Sequence, residues 1–290
     1  MELFLAPVQL KISGIKPIRL IPDFSFYYQQ PLTDPEITFD CYYCITQQIS
    51  LDDSVPVFSG ESFENAVIPY KWQVLQKREQ KQLYITFFNH PEFIAVSALI
   101  NLEGKSINIE LIPRTNAKEL VIDPLFHPLG SLLMVYLAHF TNGMLIHASG
   151  VEDHNNGYLF TGVSGIGKST MSRLWEAKGA QIINDDRLWL HQVSGRWHLF
   201  NTPMMHYAQK PMMVPLTKAF LLRQSKTNEL ILDRGYQSAL KLMANCIQHH
   251  YNKEMTAAHL DRILQLTSQV PVYNLGFKPD TEVVELIRAI

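Results

Sequence analysis

Tyr158-Leu159-Phe160-Thr161-Gly162-Val163-Ser164-Gly165-Ile166-Gly167-Lys168-Ser169-Thr170 decides how this chain is read. A short apolar run predicts a strand at 158–161, and the residues from 170 to 178 predict a helix closed by Gly179. Between them lies Gly-x-x-x-x-Gly-Lys-Ser, the spacing of a phosphate-cradling loop. Gly162, Gly165 and Gly167 lack a Cβ, so the backbone can turn sharply and aim successive N–H groups, those of Val163, Ser164 and Ile166 included, into one concavity. The helix start adds the positive end of its dipole and the unpaired N–H groups around Ser169 and Thr170. Lys168 then reaches the outer phosphates of a nucleotide, and the Ser169 hydroxyl ligates Mg²⁺.

Working outward, a strand predicted at 180–184 runs into Asp185-Asp186. Magnesium-assisted phosphoryl transfer needs carboxylates beyond the glycine loop, to hold the metal and to take a proton from the acceptor. Two adjacent acids can divide that work, one staying ionised on the metal while its neighbour accepts a proton. On the other side, Leu145-Ile146-His147-Ala148-Ser149-Gly150-Val151 predicts a strand ahead of the loop strand, joined to it by a turn at 153–157. If the two pair as a hairpin, His147 falls at the same edge as the loop. From position alone it is either a site residue or a hydrogen-bonded core histidine.

These pieces together carry a resemblance. His147-Ala148-Ser149-Gly150-Val151, then Gly162 to Ser169, then Asp185-Asp186-Arg187 resembles the catalytic half of HPr kinase/phosphorylase and, more broadly, the phosphoenolpyruvate carboxykinase-like P-loop superfamily. The matching core spans roughly residues 143–190. The tail, including Val270-Pro271-Val272-Tyr273-Asn274-Leu275, is similar to that of HPr-kinase-related proteins. The resemblance implies an α/β P-loop kinase core with ATP and Mg²⁺ as cofactors. It implies phosphate binding by Gly162 to Ser169, with Thr170 adjoining. It further implies Mg²⁺ contact by Ser169 and one of Asp185 and Asp186, the other acid acting as base with His147 in support. Where a Glu-x-Arg-Gly-type signature follows the acids in HPr kinases, this chain has Asn201-Thr202-Pro203-Met204-Met205. The implied activity is therefore serine-kinase-type transfer to a hydroxyl of a peptide or small protein other than HPr. A nucleotide-binding switch without transfer and a small-metabolite kinase stay open as alternatives, and so does a homo-oligomer.

The remaining chain reads as support. Residues 1–36 are rich in proline and predict extended segments with turns. From 37 to 112 the pattern is β, with hairpins predicted at 70–76/82–88 and 93–102/106–112. A boundary is expected at 122/123, giving a β-rich N-terminal unit (1–122) and the kinase-like domain (123–290). The segment 129–140 predicts a largely buried helix, stopped at Asn142-Gly143. Later strands are expected at 188–193, 196–200, 218–222 and 272–277. Helices are expected at 236–251, at 257–268 and from an Asp280 cap to the end. Acceptor selection falls by elimination to the β-rich unit and the methionine-rich loop 204–213.

Composition narrows the classes. The 290 residues are 47% hydrophobic and 18% charged, with a net charge of −2. That excludes a disordered chain and gives no general attraction to nucleic acid or anionic membrane. The longest apolar run is too short to span a bilayer, and the N-terminus lacks a signal-peptide pattern. Three cysteines build no disulfide framework, so a reducing cytoplasm is the expected compartment. Cys41 and Cys44 are expected on one strand, where positions three apart face opposite ways.

Overall fold

The computed structural model describes every residue except 24, 65, 116–118, 205–208, 234 and 251. Residues 205–208 of the expected methionine-rich loop 204–213 thus lie outside the described residues, as does Tyr251 at the end of the expected helix 236–251. The architecture is mixed α/β and mostly strand. It divides into two compact units, Met1–Thr141 with Pro203–Lys210, and Asn142–Thr202 with Pro211–Ile290.

The first unit contains β1 (Glu2–Leu5), β2 (Val8–Gly14), β3 (Ile18–Leu20), β4 (Ile37–Ile45), β5 (Val55–Glu61), β6 (Tyr70–Lys77), β7 (Gln80–Phe87), β8 (Phe93–Asn101), β9 (Ser106–Pro113), β10 (Leu120–Ile122) and helix α1 (Leu129–Phe140). Among the described residues, eight strands form one sheet in the order β1-β2-β4-β9-β8-β7-β6-β5, and β10 pairs with β3. Both hairpins expected from the alternation are present. On β4 the odd positions Phe39, Cys41 and Tyr43 are buried, while Cys44 sits on the other face. Burial pushes the Cys41 thiol up to about 12, so it behaves as a small apolar side chain.

The division between units falls after Thr141 and not at the expected 122/123. Punctuation by Asp123-Pro124 looked like a linker but is a tied corner. The Asp123 carboxylate accepts from Asp23 N–H (2.6 Å), Ser25 Oγ (2.9 Å) and Leu125 N–H (2.7 Å), and Tyr43 donates its hydroxyl to the Pro124 carbonyl. Nine of the twelve residues of α1 are buried, and the helix packs on β7. The chain leaves this unit at the glycine-containing stop Asn142-Gly143.

The second unit contains β11 (Met144–Asp153), β12 (Asn156–Thr161), α2 (Lys168–Glu176), β13 (Gln181–Asn184), β14 (Arg187–Val193), β15 (Arg196–Asn201), β16 (Met213–Gln224), β17 (Glu229–Asp233), α3 (Tyr236–Met243), β18 (Cys246–Ile247), α4 (Lys253–Gln269), β19 (Val272–Phe277) and α5 (Glu282–Arg288). β12, β16 and β19 run parallel side by side. β11 is long enough to serve two sheets: Met144 to His147 pairs with β14, and Ala148 to Asp153 pairs with β12. Alternation along β12 and β16 splits the core. Leu159, Ala219 and Leu221 face a cluster with residues of α3 and α4, whereas Tyr158, Phe160, Phe220 and Leu222 face α2 and α5.

Two expectations for this unit change. The helix expected over 236–251 stops at Met243, because Cys246 and Ile247 pair with Ile146 and Leu145 as strand β18. That stretch of β11 runs outside its ladder with β12, and β18 satisfies its outer backbone groups. Asp280 lies one residue before the helix cap, Thr281, yet its carboxylate still accepts the Glu282 N–H at 3.1 Å. Among the described residues no helix is long and apolar enough to cross a membrane.

Candidate active site

β12 ends at Thr161 and the chain turns through Gly162 to Gly167 into α2, which begins at Lys168. This puts Lys168, Ser169 and Thr170 in the first helical turn, with Gly167 as the cap residue. Glycine is required at two places. Gly165 has φ 76°, a left-handed conformation in open surroundings. Gly167 has φ 113°, and a Cβ there would lie 2.7 Å from the ring tip of Phe277. Val163 is 70% exposed, and Ser164, Gly165, Ser169 and Thr170 are also exposed, while Ile166 packs against the core beneath.

Lys168 is buried and folds back over the loop, donating from Nζ to the carbonyls of Gly162 (3.0 Å) and Val163 (3.2 Å). Burial lowers its pKa, and the charge of Asp186 acts in the opposite sense.

Asp185 and Asp186 form the bend between β13 and β14, and both are half-buried. The bend is set by Asn184, fully buried, whose Oδ1 accepts the N–H groups of Asp186 (3.0 Å) and Arg187 (3.3 Å). Asp186 is gripped on both oxygens. His147 Nδ1 lies 3.3 Å from Oδ1, and Arg187 Nε donates to Oδ2 at 3.1 Å. The His147 hydrogen bond leads in holding the Asp186 carboxyl down at about 2, with Arg187 adding to it against burial. His147 Nδ1 also lies 3.0 Å from the Asp186 backbone carbonyl. Both neighbours of Nδ1 are acceptors, so Nδ1 carries a proton.

The hairpin that the sequence made conditional does form, with Ala148 opposite Thr161. Thr161 donates its hydroxyl to the His147 carbonyl at 2.8 Å, and the His147 N–H reaches the Asn245 carbonyl at 2.8 Å. Ser149, fully buried, donates to the Lys168 carbonyl at 3.0 Å. His147, Lys168, Asp186 and the loop Gly162 to Thr170 are thus brought to one edge, with Asp185 beside them in the chain. Thr161, Ser149 and Asn184 went unread in the sequence. Asn184 alone had a linear signal, an Asx turn into Asp185-Asp186.

No protein-family model matches the chain, and no curated protein matches it. Among solved structures, the HPr(Ser) kinase/phosphatase from Coxiella burnetii is similar with a TM-score of 0.31 and 13% identity, covering 50% of this chain and 94% of that chain. The likeness is weak and assigns no activity to this chain.

The residues present suit a nucleotide with Mg²⁺. A loop of mostly exposed residues leading into a helix start, a lysine beside it and an ionised carboxylate fit the groups that a magnesium-bound polyphosphate requires, although the Ile166 N–H, expected in the cradle, donates to the Val163 carbonyl at 3.3 Å.

Proposed function

We propose that this protein is an ATP- and Mg²⁺-dependent kinase that transfers the terminal phosphoryl group to a hydroxyl, with a serine or threonine of a peptide or small protein as acceptor. One observation carries the reading: β11 holds both the start of α2 at Lys168, through the Ser149 hydroxyl, and the Asp186 carboxylate, through His147, so the glycine loop and the Asp–His pair share one strand edge. In this reading the amides from Gly162 to Ser169 hold the phosphates, and Lys168 exchanges its loop carbonyls for phosphoryl oxygens as charge develops there. Ser169 and Asp185 would hold Mg²⁺, which supplies charge neutralisation when bound. The Asp186–His147 pair would orient the acceptor hydroxyl and take its proton.

A nucleotide switch without transfer needs the loop but has no use for a hydrogen-bonded Asp–His pair beside the lysine. The test is incubation with γ-labelled ATP and cell extract, comparing the wild-type chain with Asp186→Asn. Label transferred by wild type and lost in the variant, at unchanged ATP affinity, supports the kinase. ATP binding with no label transferred by either supports the switch.

A further inference from the structure

We propose that the carboxyl edge of β16 and β19, where Arg223 and Lys278 emerge, docks the nucleoside half of the nucleotide, with the Arg223 guanidinium as the surface on which the base stacks. The inference rests on the phosphate-loop reading above. The loop leaves β12, which lies between β11 on one side and β16 and β19 on the other. The terminal phosphoryl end is set on the β11 side, where Lys168, Asp186 and His147 meet. A polyphosphate lying across the loop therefore delivers its nucleoside to the opposite side.

That side touches the loop directly. The Cβ position of Gly162 lies 3.3 Å from the Leu222 carbonyl, and that of Gly167 lies 2.7 Å from Phe277. The next residues in the chain are Arg223 and Lys278. The segments that follow are tied together: Ser225 N–H donates to the Phe277 carbonyl, and Lys278 N–H to Asn228 Oδ1, both at 3.0 Å. The Asn228 amide in turn donates to Asp280 at 3.0 Å.

Charge selects the ligand. Arg223, half-exposed, pairs with Glu229, and Lys278 pairs with Asp280 (2.7 Å) and Glu282 (3.3 Å). Each cation is already answered, so this edge has no surplus positive charge for a further phosphate. It offers hydrogen-bonding groups and a flat guanidinium instead. Gly276 clears the way for that pair, since a Cβ there would lie 2.8 Å from Glu229 Cγ and 3.0 Å from Arg223 Cζ. An ion-paired guanidinium keeps its planar face for an aromatic ring, as a lysine cannot.

Isothermal titration of the full chain with magnesium ATP and with magnesium tripolyphosphate tests this. The wild-type chain is expected to bind ATP about tenfold tighter than tripolyphosphate, the contribution of one stacked base. Arg223→Ala and Arg223→Lys should both weaken ATP by about that factor and leave tripolyphosphate unchanged. Equal loss of both ligands, or full ATP affinity in Arg223→Lys, would overturn the stacking role, as would equal wild-type affinities for the two ligands. A wild-type chain that binds neither ligand would remove the phosphate-loop reading and this inference with it.

Discussion

In the first unit β6 passes to β7 through Arg78 at φ 55°, and β8 passes to β9 through a turn holding Lys105 at φ 47°. In the second unit β12 passes instead into a helix, through three positive-φ glycines. A hairpin turn returns the backbone at once to the ladder, so nearly all its N–H groups are spent on the neighbouring strand. A strand that leads into a helix leaves a run of N–H groups unclaimed at the helix start. Both units carry lysines and acids at strand ends, and in the second Lys168 lies at such a helix start, with Asp186 held from the neighbouring strand. Under the proposed function, that difference in connection, more than composition, would suit one strand end to a polyphosphate.

The largest expected effect tests that contrast directly. Lys168→Ala should lower phosphoryl transfer by about 10³ or more while circular dichroism stays native, whereas Lys77→Ala at the β6–β7 turn should leave the rate unchanged. Equal effects at the two strand ends would break the comparison.

Next come the two glycines. Gly167→Ala places a Cβ against Phe277 in a left-handed backbone and should cost about 2–4 kcal/mol in thermal or urea unfolding. At Gly104 the group that a Cβ meets is the Asn101 amide, which can move aside, so Gly104→Ala should cost under about 1 kcal/mol. The acids then sharpen the contrast further. Asp123→Ala removes an acceptor that serves Asp23, Ser25 and Leu125, and should cost about 2 kcal/mol of stability with ATP affinity unchanged.

Asp186→Asn should cost less stability and more function. With its carboxyl held at about 2 against an ordinary 3.8, Asp186 stabilises the fold above pH about 4, and that contribution fades as the pH falls through about 2. Its side chain is 36% exposed, so solvent screening reduces the contribution to about 1 kcal/mol. The stability difference between wild type and variant, followed by urea titration from pH 7 to 2, should shrink toward acid.

What was legible in the sequence was what lies contiguous in it. The loop, its strand and its helix depend on a glycine spacing over a dozen residues, and the acids follow at the end of the next strand. The strand 272–277 was legible because its apolar run is bounded by Pro271 and the polar residues after Phe277. Ser149 and Thr161 were not, since each is an ordinary strand residue until register sets Ala148 opposite Thr161 and Gly150 opposite Asn184. The end of the helix at Met243 was equally hidden. Its local pattern continues, and only the unmet backbone of β11 turns Cys246 and Ile247 into strand. Asp123 misled because Asp-Pro reads the same in a linker and in an anchored corner.

β11 carries His147 and Ser149 two residues apart, one gripping the acid and the other the first residue of α2. Under the proposed function, donor cradle and proton acceptor would thus be riveted to a single girder, which would fix their spacing.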